Sequence, residues 1–196
     1  FFLGRQSGVM DALASFDLQE HDSFFVVAHL HYVLIGGSVF PIIAGCYYFF
    51  PLISGKRLSD KLGRIAFWFL FVGFNVTFMP MHLTGLRGMP RRVFTYPADL
   101  GFDVLNMVST IGAFVLGIGV AIVAWDIVRP KKKQPLSDRN PWNAGTLEWL
   151  PTMPPEPWGV RSIPEIDSRY PLWDQPNFLR AVVQGLDLGR VGQPDT

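Results

Sequence analysis

Charged positions thin out over three long stretches of this chain and return between them. From Phe24 to Ile53 there is no Lys, Arg, Asp or Glu, and the same holds from Ile65 to Leu86. A third stretch runs from about Leu100 to Trp125 with one acid, Asp103, near its start. Roughly 20 residues of helix cross a bilayer, so each stretch predicts a membrane-spanning helix. Three buried core helices of a large soluble protein are the alternative. Three such runs in succession argue against it. Pro41, Pro80, Gly112, Gly117 and Gly119 fall inside the spans. Membrane helices tolerate them, and small residues let helices approach closely.

Composition sharpens this picture. Of 196 residues, 17% are charged, against about 25% in an ordinary soluble domain. Mean hydropathy is +0.24. So apolar a chain is not disordered in the main. The single cysteine, Cys46, excludes a disulfide scaffold, and the spans predict a buried thiol for it. A net charge of +1 speaks against nucleic-acid binding. The charge is divided unevenly, with 16 charged residues in positions 1–128 and 17 in positions 129–196. Eleven of the 16 prolines lie at or after Pro130. The reading is therefore a membrane body followed by a Pro-rich aqueous tail. Trp142, Trp149, Trp158 and Trp173 recur in the tail without a repeat, and a short helix is expected around Asn177 to Gln184. Phe1-Phe2-Leu3 resembles the cut end of something longer, with no initiator Met and no signal peptide ahead of it.

Orientation follows from Lys and Arg in the short connections. Lys56, Arg57, Lys61 and Arg64 lie after the first span, and Arg129, Lys131, Lys132 and Lys133 after the third. Both clusters fall on one side, expected to be cytoplasmic. Arg87, Arg91 and Arg92 then stand on the outer side, where positive charge is usually sparse. An anionic partner accounts for them, and a solvated basic turn is the plainer alternative.

Four histidines carry most of the candidate chemistry. His29 and His31 lie inside the first span, where ionisable residues are rare and usually functional. At about 100° per residue they point about 200° apart. Neighbours on one helix face stand three or four positions apart, so the two do not share one metal. The spacing instead allows a helix wedged between two cofactors, with one imidazole for each. Imidazole is an axial ligand of haem iron. Just ahead lies His21-Asp22, with Asp17 and Glu20 nearby. Asp22 or Ser23 can cap the coming helix, or His21 and Asp22 can hold a hard cation, and the two readings can coexist. Gly88-Met89-Pro90-Arg91-Arg92 offers guanidinium forks suited to carboxylates, such as haem propionates. His82 reads as a hydrogen-bonded structural histidine, and Asn75 and Thr77 as bonds between helices. Tyr32, Tyr47 and Tyr48 read as packing aromatics. Ser7-x-x-x-Asp11 makes no triad.

At this point a family resemblance becomes specific. The run His21-Asp22-Ser23-Phe24-Phe25-Val26-Val27-Ala28-His29-Leu30-His31-Tyr32-Val33 resembles the haem-ligand signature of subunit I of haem–copper oxidases. Phe71 to Phe78, Met81 to Leu86 and Gly88 to Arg92 follow in that family's order. Asn140 to Trp149 resembles the cytoplasmic extension of bacterial aa3- or caa3-type subunits. The likeness covers residues 1 to about 129, and Gly4-Arg5-Gln6-Ser7-Gly8 departs from it by replacing a more apolar Gly-rich stretch.

The resemblance implies an all-α membrane protein. Three transmembrane helices, the last three of a twelve-helix bundle, would be followed by an irregular Pro-rich C-terminal tail. Residues 1–22 would end a preceding helix and form an outer loop. Residues 23–129 would hold spans at about 24–53, 65–86 and 100–127, and residues 130–196 would form the cytoplasmic extension. It implies two haems, taken as haem A. His29 would ligate the high-spin haem iron and act as the catalytic ligand; His31 would ligate the low-spin haem iron. Arg91 and Arg92 would hold haem propionates, with Asp17 near them. His21 and Asp22 would bind Mg or Mn. Copper B would depend on ligands outside this chain, so these residues alone would be inactive. The implied enzyme is a proton-pumping cytochrome c oxidase of the bacterial plasma membrane, with a quinol oxidase as the alternative and a non-catalytic packing subunit as a distant one. Its partners would be subunits II and III, the rest of subunit I, cytochrome c, O2 and lipid.

Overall fold

A computed structural model describes residues 2–129, 140–150 and 166–175. The described residues form two compact units. The first comprises positions up to Tyr47 together with Leu58–Arg129. In the second, Tyr48–Arg57 joins the tail.

The first unit opens with two short helices, α1 (Phe2–Asp11) and α2 (Ala14–Glu20). Ser23 then starts α3 (Phe24–Leu34), its Oγ accepting from the Phe25 N–H at 3.1 Å. The same hydroxyl donates to the Glu20 carboxylate at 2.7 Å, which holds that buried acid in place. Of the two caps the sequence allows, Ser23 is the one used.

A single π-turn, Ile35–Val39, joins α3 to α4 (Phe40–Ser54), and together they form one candidate span of 31 residues. Pro41 explains where the turn falls. It has no N–H to give the preceding turn, and its ring pushes against the carbonyl four residues back, that of Gly37. The ladder widens, and the Phe40 N–H reaches the Ile35 carbonyl instead. Cys46, expected to be buried, is exposed, because α4 turns that face outward.

The second candidate span is α5 (Asp60–Leu86) and the third is α6 (Asp103–Val128). α5 starts five positions before its apolar run. Ser59 caps it by accepting from the Leu62 N–H, and Asp60 complements the first-turn dipole. Glycines set how closely α5 and α6 approach. A Cβ on Gly73 would overlap the backbone at Leu116, one on Gly112 would lie 2.5 Å from the Thr77 nitrogen, and one on Gly119 would lie 2.8 Å from the Leu70 nitrogen. Each step along α5 matches a step back along α6, so the pair is antiparallel. Gly85 meets the Phe25 backbone in the same manner, bringing α3 against α5.

Tyr32, Phe74 and Phe78 form one buried cluster, and Ala66, Leu70 and Val123 another. Tyr32 also donates to Asn75 Oδ1 at 2.9 Å, a bond between helices as expected. Thr77 differs from expectation. Its hydroxyl donates within α5 to the Gly73 carbonyl at 2.6 Å, the acceptor one turn back on its own helix. At the far end, Asp126 is fully buried. It accepts from the Ser59 N–H at 2.9 Å, Tyr47 Oη at 3.2 Å and Arg129 Nε at 2.7 Å. Outward faces stay apolar, with Trp68, Phe71, Phe114 and Ile111 all exposed.

In the second unit, Trp149 is fully buried and donates through Nε1 to Tyr48 Oη at 2.8 Å. Trp142 stacks on Tyr48, and the Arg57 guanidinium lies over Trp142. Asn140 bonds Ala144 in both directions at 2.7 and 2.8 Å, closing the turn before Trp149. The helix expected around Asn177 to Gln184 lies outside the described residues, as does Trp158.

Candidate functional site

The two intramembrane histidines face different helices. His29 points at α1, where its Nδ1 lies 2.9 Å from Ser7 Oγ. His31 points at α5 and stacks on Phe78, centroids 4.3 Å apart at 14°. Their opposition follows from helix geometry and from which partner packs on each side.

Both rings commit Nδ1 to a protein oxygen. His31 Nδ1 lies 2.7 Å from the Val27 carbonyl. A carbonyl only accepts, so this Nδ1 carries a proton, and in the neutral ring the lone pair is then on Nε2. The Ser7 hydroxyl suits the same tautomer at His29. A histidine that ligates a metal through one nitrogen typically donates its other N–H to an oxygen in this way.

Toward the start of α3 the loop 88–92 folds back onto residues 22–24. The Phe24 N–H donates to the Met89 carbonyl at 2.9 Å, and the Arg91 N–H to the Asp22 carbonyl at 2.8 Å. Gly88 adopts φ +87° and Arg92 φ +67°, turning the chain sharply on both sides of Pro90. Arg91 grips Asp22 Oδ1 through Nε at 2.6 Å and Nη2 at 2.5 Å. That hydrogen bond holds the Asp22 carboxyl below its ordinary range. His21 stands apart from Asp22 in its contacts, with Nδ1 3.7 Å from Asp17 Oδ1. The candidates thus form two pairs, Asp22 with Arg91 and His21 with Asp17. Among the described residues, no three His, Cys, Asp or Glu side chains gather around a point that could hold a metal ion. A cation bound by His21 or Asp22 would need further ligands from elsewhere.

His82 sits edge-on between Phe25 and Tyr32, with centroids 5.0 and 5.4 Å away. Its ring is held by the backbone of Phe78 and Met79 one turn back on α5, the structural role expected from sequence. Sequence reasoning also passed over Ser7 and Asp126. Ser7 bears its signal only as a small polar residue between two glycines, and Asp126 as an acid at the end of an apolar run.

The family comparison bears on these same residues. The model for "Cytochrome C and Quinol oxidase polypeptide I" matches residues 1–115. The chain belongs to this oxidase subunit I family. "Cytochrome c oxidase subunit 1" of Alkalihalophilus pseudofirmus is 41% identical over 174 residues, covering 88% of this chain and 28% of that protein. The protein of the same name from Synechocystis is 46% identical over 159 residues, covering 79% of this chain and 28% of the relative. "Quinol oxidase subunit 1" of Bacillus subtilis is 38% identical over 175 residues, covering 86% and 26%. The chain therefore spans little more than a quarter of the length of these relatives. Among the described residues, the all-α architecture with three membrane-length helices agrees with the C-terminal part of the oxidase subunit.

Membership of the oxidase family implies haems and copper, and the histidines fit the haem part of that set. Two imidazoles on opposite faces of one apolar helix, each with Nδ1 turned to a protein oxygen, are the kind of donors a haem iron takes through Nε2. The described residues contain no cluster suited to copper.

Proposed function

We propose that this chain forms part of the catalytic subunit of a proton-pumping respiratory oxidase that reduces O2 to water. The observation that carries the reading is the opposed pair His29 and His31, each with its Nδ1 held by an oxygen. His29 Nε2 would hold the iron of a high-spin haem. His31 Nε2 would hold the iron of a low-spin haem, its ring plane oriented by the stack on Phe78. Haem A is the type proposed for both. When bound, the haems supply electron transfer and, with a copper ligated outside this chain, the reduction of O2.

The chain's own residues do the positioning. The Val27 carbonyl selects the Nδ1–H tautomer of the neutral His31 ring, which turns the bare Nε2 to the iron. α3 keeps the two imidazoles on opposite sides of one helix, two residues apart, so that haems held by them would lie close enough for direct electron transfer. Arg91 and Arg92 offer donors to the propionates of both haems. Arg91 is steadied for this by Asp22, which occupies part of its fork. Asp17, paired with His21, borders the same region. Asp22 Oδ2 and the His21 imidazole remain for a Mg or Mn ion completed by a neighbouring subunit.

Subunits II and III and the remainder of subunit I surround the chain, in a bacterial plasma membrane with the tail cytoplasmic. Cytochrome c is the proposed donor, since the cytochrome c oxidase relatives quoted above are 41–46% identical against 38% for the quinol oxidase. This chain alone is expected to be inactive.

Optical spectra of the assembled complex test the ligation. His31→Ala should abolish the low-spin band and leave the high-spin haem, while His29→Ala should do the reverse. A low-spin band unaltered by His31→Ala would sink the assignment. For the cation, an Mn(II) EPR signal that persists unchanged in Asp22→Ala would remove Asp22 from its ligands. Turnover with reduced cytochrome c against a quinol decides the donor.

A further inference from the structure

Ser7 stands on α1, 5% exposed, between two glycines that let α1 come close to α3. A Cβ on Gly4 would lie 3.1 Å from Tyr32 Cβ, and one on Gly8 would lie 2.9 Å from His29 Cε1. The Ser7 hydroxyl thereby reaches His29 Nδ1 at 2.9 Å. It also lies 3.0 Å from the Gly4 carbonyl and 3.3 Å from that of Leu3, one helical turn back.

A hydroxyl has one proton to give. The two carbonyls can only accept, so they compete for that proton with His29 Nδ1. When the hydroxyl proton goes to Gly4, the Ser7 lone pair faces His29 and accepts Nδ1–H. When it goes to His29, the imidazole proton moves to Nε2 and closes the nitrogen needed for a metal. The Gly4 carbonyl, fixed by its own helix, tips the choice.

We propose that Ser7 is a positioning residue for the high-spin haem. It relays His29 Nδ1–H to the Gly4 carbonyl, fixes the imidazole tautomer and strengthens His29 as a donor to iron. This rests on the assignment of His29 as a haem ligand. It goes beyond that assignment by naming the residue that tunes one haem and not the other, because His31 takes the equivalent support from the Val27 carbonyl of its own helix.

The test is resonance Raman spectroscopy of the reduced, assembled oxidase containing this chain, read at the iron–imidazole stretch of the high-spin haem. Ser7→Thr and Ser7→Val have nearly the same shape and differ in the hydroxyl. Ser7→Thr should keep the wild-type frequency. Ser7→Val should shift it downward, since an imidazole whose Nδ1–H has lost its acceptor is a weaker donor. The low-spin haem's absorption should stay in place in both. Equal frequencies in the two variants overturn the proposal, and so does a low-spin band that moves with the high-spin one. His29→Ala separates the two levels of argument. If it removes the high-spin haem while Ser7→Val and Ser7→Thr read alike, ligation stands and the relay fails. If the high-spin haem survives His29→Ala, the ligation itself fails.

Discussion

Arg91 holds a single carboxylate oxygen of Asp22 twice, through Nε at 2.6 Å and Nη2 at 2.5 Å. The grip closes a loop already tied at backbone level, since the Arg91 N–H donates to the Asp22 carbonyl at 2.8 Å. The Arg91 hydrogen bond lowers the folded-state pKa of Asp22 below 3.8. A group lowered in this way contributes stability above its unfolded pKa, and that contribution is lost as pH falls through the folded value. The pair should therefore be intact at neutral pH and open only in acid below 3.8. Difference infrared titration against Asp22→Asn should place the missing carboxyl band in that acid window. A band that protonates above 3.8 would show that Arg91 does not hold Asp22 in solution.

Tyr32 and Asn75 join α3 to α5 through one hydrogen bond of 2.9 Å. In a membrane such bonds contribute about 0.6 kcal/mol on average and at most about 1.7. Tyr32→Phe keeps the buried ring and removes only the hydroxyl. The unfolding midpoint of the purified complex should fall by an amount in that range. A loss several-fold larger would mean that the hydroxyl has a second partner.

Two glycines offer a matched comparison. A Cβ on Gly85 would overlap the Phe25 backbone, whereas one on Gly117 meets nothing within 4 Å. Gly85→Ala must separate α3 from α5 and should destabilise by about 1–3 kcal/mol or more, as overpacking does. Gly117→Ala gains the helix preference of Ala over Gly, about 0.8–1 kcal/mol at most. Thermal unfolding of both variants of the assembled complex should give shifts of opposite sign.

Asp126 ties α4, the start of α5 and the end of α6 at one buried carboxylate. Removing one partner of a buried ion pair costs about 3–5 kcal/mol. Arg129 is 34% exposed, so the loss from Asp126→Ala should fall at the lower end of that range. Asp126→Asn retains an acceptor for the Ser59 N–H and should recover part of the loss. Denaturant midpoints that rank wild type, Asn and Ala in that order would support this account. Equal midpoints for wild type and Ala would refute it.

Much of the architecture was legible because membrane helices write themselves as uninterrupted apolar runs. The 100° step alone put His29 and His31 on opposite faces. The residues that hold those histidines were not legible in the same way. Val27 contributes a carbonyl, which every residue has, and Ser7 comes from another helix. The bonds of Asp126 to Ser59 and Tyr47 cross 67 and 79 positions, a separation that local periodicity does not register. Thr77 and Cys46 went wrong for a related reason. An all-apolar run does not say which of its faces meets a neighbour, so a thiol or a hydroxyl within it has no assigned side.

The widened turn between Ile35 and Val39 works as a phase adjuster in an otherwise continuous rod. An i→i+5 turn takes up one residue more than an α-turn, so it absorbs about 100° of rotation without breaking the helix. Upstream, the rod aims His29 and His31; downstream, it aims Tyr47 at Asp126. With the adjuster present, one continuous rod meets both aims at once. Shortening the rod by one residue there would leave both halves helical and mis-clock one against the other.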